Sequence, residues 1–300
     1  MSLIGIPSLK NPMIEHCPLA PLTTWKVGGN ARYLAEPNTE ELPILLDWAK
    51  KKGLPVAFIG RGSNLLVADA GFDGLIILTR NTLTNICRDG EFLVAESGAS
   101  LPALSKAAAR EGFAGFEFLI GIPGTVGGGI VMNAGLTVFR PREIAQILVD
   151  FDTISLNGDS ERLTSEDVKM GYRSSELQDG RRLVTKARFL LSEKGIPEDI
   201  RQASLEHHRE RKSKQPLDKP TAGSTFKSPP GSKGAGYYIE KAGLKGHQIG
   251  GAAVSNKHAN WIENTGEASS EDIKTLIKFV RKKVLEEQDI LLEAEVKILN

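Results

Sequence analysis

The sequence predicts an α+β protein built from several small domains, and three observations predict it. Short apolar runs of strand length alternate with amphipathic helical segments from residue 38 onward. Two glycine-rich loops interrupt that alternation, at Gly60–Asn64 and Gly121–Gly135. A proline-broken connector, Lys214-Gln215-Pro216 through Lys219-Pro220, separates a highly charged helix end from a further α+β region. With 300 residues and 40% hydrophobic content, the chain can bury a substantial core, and its length allows two or three domains.

Taken in order, Asn38-Thr39-Glu40-Glu41 reads as a capping box, followed by Leu42, Leu45, Leu46 and Ala49 at helical spacing and Gly53 as the stop. Val56–Ile59, Leu65–Val67 and Leu75–Leu78 read as strands, which makes a small domain ending near Thr79. A strand at Phe92–Glu96 leads to a helix over Leu101–Glu111 with Ser100 at its cap. Strands follow near Gln146–Leu156 and Leu183–Leu191, then a helix over Pro197–Arg211. Beyond the connector come a short helix, Gly236–Ala242, and strands at Gln248–Val254 and Ala259–Glu263. A long helix spans about Glu271–Glu287, with Ile273, Leu276, Ile277, Val280 and Val284 on its apolar face. Ile290–Leu299 reads as a buried strand containing Glu293 and Glu295.

Charge is nearly balanced, 38 basic against 37 acidic residues, and no basic run interleaves with aromatics, so neither nucleic acid nor an anionic membrane is expected as partner. Cys17 and Cys87 lack metal or redox spacing, no metal is expected, and a reducing cytoplasm is the simplest setting. The first residues lack the pattern of a signal peptide, and no run approaches the roughly 18 apolar residues that span a bilayer.

Gly121–Gly135, GIPGTVGGGIVMNAG, holds six glycines and almost no charge. Such a backbone can adopt positive φ and lie against a bound molecule, and its N–H groups suit phosphate. The Gly60–Asn64 loop offers the same, so one large phosphorylated ligand held by both loops is expected. A dinucleotide fingerprint G-x-G-x-x-G fails because the third glycine is missing after Gly60-Arg61-Gly62, and no segment supplies a P-loop.

The two loops resemble the flavin-binding domain of the vanillyl-alcohol oxidase type. Within that fold, the chain resembles the UDP-N-acetylenolpyruvoylglucosamine reductase family over nearly its whole length. The resemblance is carried by Thr23–Asn30, Gly60–Leu66, Gly121–Gly128, Asn133-Ala134-Gly135, Gly171–Ser175, Ala222–Lys227 and Leu292–Val296. It implies a two-part FAD-binding domain plus a C-terminal α+β substrate-binding domain. The expected domains are 1–79, 80–201 with a returning strand 288–300, and 202–287 for substrate. The implied cofactor is non-covalent FAD. Its ligands would be Gly60, Arg61, Gly62, Ser63, Asn64 and Leu65 in the first loop. In the second they would be Gly121, Ile122, Pro123, Gly124, Thr125, Gly127, Gly128, Asn133, Ala134 and Gly135. The implied reaction is NADPH-dependent reduction of UDP-N-acetylglucosamine enolpyruvate to UDP-N-acetylmuramate, for peptidoglycan, by a cytoplasmic monomer.

Three residues carry the implied chemistry. Ser224, in AGSTFK, reads by itself as a turn or cap serine, and the resemblance makes it the general acid. A hydroxyl is a weak acid and serves only a strongly basic acceptor, such as a carbanion beside a carboxylate. Arg173, in GYRSS, reads equally as an ion-pairing arginine or, by resemblance, as the fork aimed at the substrate carboxylate. Glu293 and Glu295 share strand parity, so parity does not separate them, and the resemblance selects Glu295. Arg211 and Lys214 read as a solvated helix end, or by resemblance as the cations that hold the UDP diphosphate. The family's substrate-contacting asparagine is Ser228 here, and Trp261 replaces a phenylalanine. The stretch from Arg173 to Leu183 has no room for the tyrosine-bearing lid of one branch, which points to the shorter subtype. The alternative function is a flavin-dependent oxidase of the same fold acting on an alcohol or sugar, although the first loop lacks the histidine used for covalent flavin. A second alternative, a binding protein that has lost the chemistry, is disfavoured because all three catalytic positions are filled.

Overall fold

A computed structural model describes residues 2–5, 9–136, 142–231 and 233–300. The chain forms two compact units, each assembled from separated segments. The first comprises Met1–Glu15, Arg32–Arg61 and Asp73–Arg211; the second comprises His16–Ala31, Gly62–Phe72 and Lys212–Asn300. This grouping differs from the three domains expected from the sequence. The final strand, Lys297–Leu299, lies parallel to Leu65–Val67 in the second unit and not with residues 80–201.

In the first unit, one five-stranded sheet runs in the order Ser2–Ile4, Met13–Pro18, Asn30–Ala35, Phe72–Leu78, Val56–Ile59. The last two strands pair in parallel, and parallel neighbours need a crossover. Leu65–Val67 belongs to that crossover, which is why it leaves the sheet to which sequence order would assign it. Helix α1 (Leu42–Lys51) covers this sheet with Leu42, Leu45, Leu46 and Ala49, all buried. Its capping box forms as expected: the Asn38 N–H donates to the Glu41 carboxylate at 2.8 Å, and the Glu41 N–H donates to Asn38 Oδ1 at 3.0 Å.

A second, fully antiparallel sheet orders as Ser160–Leu163, Leu148–Ser155, Arg182–Leu190, Phe92–Glu96, Ile86–Asp89. Against it pack α2 (Leu101–Arg110), capped by Ser100 Oγ on the Ala103 N–H, and α3 (Val126–Val131), capped by Thr125 Oγ1 on the Gly128 N–H. The middle of the second glycine stretch is therefore a helix and not an open loop. The second unit takes the last residues of α4 (Pro197–Lys214). It builds a four-stranded antiparallel sheet, ordered Thr221–Ser224, Trp261–Asn264, Ala252–Val254, Gln248–Ile249. The single strand expected over Gln248–Val254 is a hairpin, because Gly250-Gly251 turns the chain, with Gly250 at φ 53°.

Helices α5 (Ala235–Lys241) and α6 (Ser270–Gln288) close the second core, and α6 buries the five apolar residues read from its periodicity. Trp25, fully buried in this core, donates its indole N–H to the Ile262 carbonyl at 2.8 Å. Ile290–Leu299 is not one buried strand. Only Lys297–Leu299 pairs as a strand, and Leu291 and Glu293 are exposed.

Candidate active site

Within the first unit, Gly60 of the first loop meets Thr125 of the second. A Cβ on Gly60 would sit 2.3 Å from Thr125 Oγ1, so this approach requires glycine. None of the six glycines of Gly121–Gly135 has positive φ; the left-handed residue there is Asn133, at φ 43°. Close packing explains several of them instead: a Cβ on Gly127 would meet Ser97 Cβ at 2.9 Å, and one on Gly135 would meet the Arg142 carbonyl at 2.4 Å. Gly62 is different, with φ 61° and its carbonyl engaged by the Thr24 N–H at 3.2 Å.

Arg173 also lies in the first unit, at φ 52°, a left-handed conformation unusual for a non-glycine residue. Its side chain is 12% exposed. The guanidinium donates to the Asn133 and Gly135 carbonyls, stands 3.6 Å from Glu143 Oε1, and stacks over the Tyr172 ring at 5.0 Å. The Arg211 guanidinium donates to the Gly121 carbonyl, and a Cβ on Gly121 would come within 2.8 Å of it. Burial and then the neighbouring charge of Arg173 lower the Arg211 pKa to about 10, so the group stays cationic at neutral pH. Two guanidiniums that repel one another form a site whose natural complement is an anion. Lys214, three residues on and exposed, ends α4 in the second unit.

Ser224 ends its strand beside Gly223, at φ 78°, and pairs with Trp261 across a register shift. The residues after it run antiparallel to the C-terminal stretch: Phe226 bridges Ala294, and the Glu295 N–H donates to the Thr225 carbonyl at 2.8 Å. Glu295 therefore lies opposite Thr225, one residue from Ser224. Asn260 grips this stretch, its side chain bonded to both the N–H and the carbonyl of Phe226. Asn64 Nδ2 donates to the Glu295 carbonyl at 3.2 Å, and Lys227 pairs with Glu293 at 2.7 Å. The exposed Glu293 is thus tied to a largely buried lysine side chain while the Glu295 backbone is held from two sides.

Known relatives bear on this arrangement. The chain is 43% identical over 283 residues to the UDP-N-acetylenolpyruvoylglucosamine reductase of Synechococcus sp. (strain JA-3-3Ab), covering 94% of this chain and 89% of the relative. The chain belongs to the UDP-N-acetylenolpyruvoylglucosamine reductase family. The reductase of Caldanaerobacter subterraneus subsp. tengcongensis is 40% identical over 292 residues, 97% of this chain and 93% of that one. The crystal structure of the Thermus caldophilus UDP-N-acetylenolpyruvylglucosamine reductase superposes with a TM-score of 0.78 at 35% identity, covering 96% of this chain and 98% of that one. The family model for the C-terminal domain of UDP-N-acetylenolpyruvoylglucosamine reductase matches residues 215–299. A FAD binding domain model matches residues 31–164, which contain both glycine loops.

The residues present fit FAD. Among the described residues, the backbone N–H groups of Arg61, Gly62 and Ser63 donate to no protein acceptor, and Gly62 is buried. Successive N–H groups of this kind suit diphosphate oxygens. In the second loop most N–H groups are spent internally, Val126 on Ala99, Gly127 on Ser97 and Gly129 on Thr125. The Asn133 side chain is likewise engaged by Glu143, Gly171 and Ala145, so it serves the protein. Trp261 is 3% exposed, and its buried indole N–H has no hydrogen-bond partner among the described residues. Ser228 is half-buried, with Oγ near Gly234. Sequence reasoning missed Glu143, since it lies in no motif and only the fold brings it to Arg173.

Proposed function

We infer that the chain reduces the enolpyruvyl group of UDP-N-acetylglucosamine enolpyruvate to the lactyl ether of UDP-N-acetylmuramate, a step of peptidoglycan synthesis. It does so as a cytoplasmic monomer with non-covalent FAD and NADPH. The observation that supports this reading is the pairing of the 224–227 and 293–295 stretches, which leaves Ser224 and Glu295 at neighbouring positions of the region matched by the family's C-terminal model.

When bound, FAD would supply the hydride chemistry that links NADPH to the vinyl methylene carbon of the substrate. The neighbouring carbon becomes strongly basic, and the Ser224 hydroxyl gives it a proton. Arg173 takes up the charge that develops on the adjacent carboxylate, a contribution of roughly 3 kcal/mol for one well-placed donor. Glu295 polarises the enol ether. Arg211 and Lys214 are assigned to the diphosphate, for which permanently charged donors are apt. Ser228 contacts the substrate where relatives use asparagine. The first-loop amides Arg61–Ser63 hold the FAD diphosphate.

The test is anaerobic. NADPH should bleach the flavin of the yellow holoenzyme, and the enolpyruvyl nucleotide should then restore its colour and yield a product heavier by one hydride and one proton. Reduced enzyme that stays bleached in the presence of that nucleotide would rule the assignment out.

A further inference from the structure

Glu143 takes no part in the family motifs, yet it occupies a decisive position beside Arg173. One carboxylate oxygen stands 3.6 Å from the Arg173 guanidinium, and the other accepts the Asn133 side-chain N–H at 2.8 Å. The second N–H of the same Asn133 amide goes to the Gly171 carbonyl at 2.9 Å, two residues before Arg173. Its oxygen accepts the Ala145 N–H at 3.2 Å, two residues after Glu143. Asn133 thus joins the segment that carries Glu143 to the segment that carries Arg173. Ser175 Oγ donates to the Val131 carbonyl at 2.7 Å, and Gln178 donates to the Arg173 carbonyl at 3.1 Å, which hold the far side.

A guanidinium with a fixed backbone can still swing its fork, and here Arg211 pushes it away electrostatically. A carboxylate 3.6 Å from the fork counters that push and, with the Asn133 and Gly135 carbonyls that accept from the same guanidinium, fixes its orientation. We infer that Glu143, held by Asn133, is a positioning residue that acts through Arg173 in the proton-transfer half of the reaction. The inference rests on the reading of Arg173 given above. It adds a residue outside every motif and a specific cost for losing its charge.

The test uses Glu143→Gln holoenzyme, because glutamine keeps an oxygen for Asn133 and for the 3-10 turn at Ile144–Gln146 but removes the charge. The expected result is unchanged flavin content and NADPH-driven bleaching within about twofold of wild type. Reoxidation by the enolpyruvyl nucleotide should be slowed about tenfold or more, in kcat rather than KM. Glu143→Asp should recover part of that rate. In an Arg173→Ala background, Glu143→Gln should add less than about twofold, since nothing is left to aim. Wild-type reoxidation by Glu143→Gln, an equal loss in the Arg173→Ala background, or a Glu143→Gln protein that purifies without flavin would each overturn the inference. An Arg173→Ala enzyme that reoxidises normally would instead remove the role of Arg173 itself, and with it that of Glu143.

Discussion

At the residue scale, the roles proposed for Ser224 and Arg211 are separable. Ser224 ends a strand at a left-handed glycine, so its hydroxyl is carried on a rigid edge and not on a floppy turn. Ser224→Ala should leave NADPH-driven flavin bleaching intact and slow reoxidation by the enolpyruvyl nucleotide by about 10²–10⁴-fold. Equal slowing of both half-reactions in stopped-flow would make Ser224 structural. Arg211 holds its charge against burial and against Arg173, and its pKa is depressed to about 10. The sign follows directly. A base whose folded pKa is lowered costs stability throughout the pH range below about 10, and that cost fades only as pH rises above it. Arg211→Met should therefore raise the thermal midpoint of the substrate-free enzyme while raising KM for the nucleotide about tenfold or more. Differential scanning calorimetry and steady-state kinetics check the two halves, and a lower midpoint would mean that the Gly121 contact outweighs the charge penalty.

At the element scale, helix starts were the most legible features, because caps are local chemistry. Asn38/Glu41 and Ser100 were both read correctly from spacing. Helix α6 was placed by its apolar face, but its start carries more than the sequence pattern suggested. Ser269 and Asp272 form a reciprocal box at 3.0 Å in each direction, and Asp69 accepts from the Ser270 N–H at 2.8 Å. Ser269→Ala should lower stability by about 1 kcal/mol, seen as a lower urea midpoint with unchanged slope. The Asp272 carboxyl is held below its usual range by the backbone N–H groups of Ser269 and Gly251. Its contribution is present above the ordinary carboxylate pKa and is lost as pH falls through the depressed value. Asp272→Asn should accordingly flatten the acid limb of stability measured below about pH 4. The Gln248–Val254 hairpin was misread despite its Gly250-Gly251 turn, and helix α3 was missed for want of helix propensity. Short α3 is glycine-rich and lacks helix propensity, and it forms because Thr125 caps it and because Val126 and Ile130 are buried.

At the scale of the whole molecule, the second unit draws its core from three separated stretches. Trp25, Val27 and Leu66 pack with residues from Ala222 to Val296, and Asn264 secures the Trp25 carbonyl at 2.9 Å. A fragment spanning residues 212–300 lacks all three side chains and the partner of the final strand. It should not fold alone, giving poorly dispersed amide NMR signals where the full chain gives dispersed ones. A well-dispersed spectrum from that fragment would show that the interleaved segments are dispensable. The proline-broken connector at Lys214–Pro220 lies three residues past the division at Arg211/Lys212, whereas the boundary expected at 201/202 falls earlier inside α4. The boundaries at 15/16, 31/32, 61/62 and 72/73 were not legible, since chain crossings inside strands and turns leave no compositional mark.

The sequence by itself determined the helices through their caps and periodicity, the two glycine loops, and the motif order that identifies the family. All of these are local properties, or ordered sets of them, and they survive without knowledge of which residues meet. Only the tertiary structure decided that Gly127 and Gly135 serve close packing rather than unusual backbone angles. It alone decided that Leu65–Val67 pairs with Lys297–Leu299, that Glu295 lies opposite Thr225, and that Glu143 braces Arg173. Each is a contact between residues far apart in sequence, and such contacts are selected by global packing and by the pairing of buried polar groups, which no local pattern encodes.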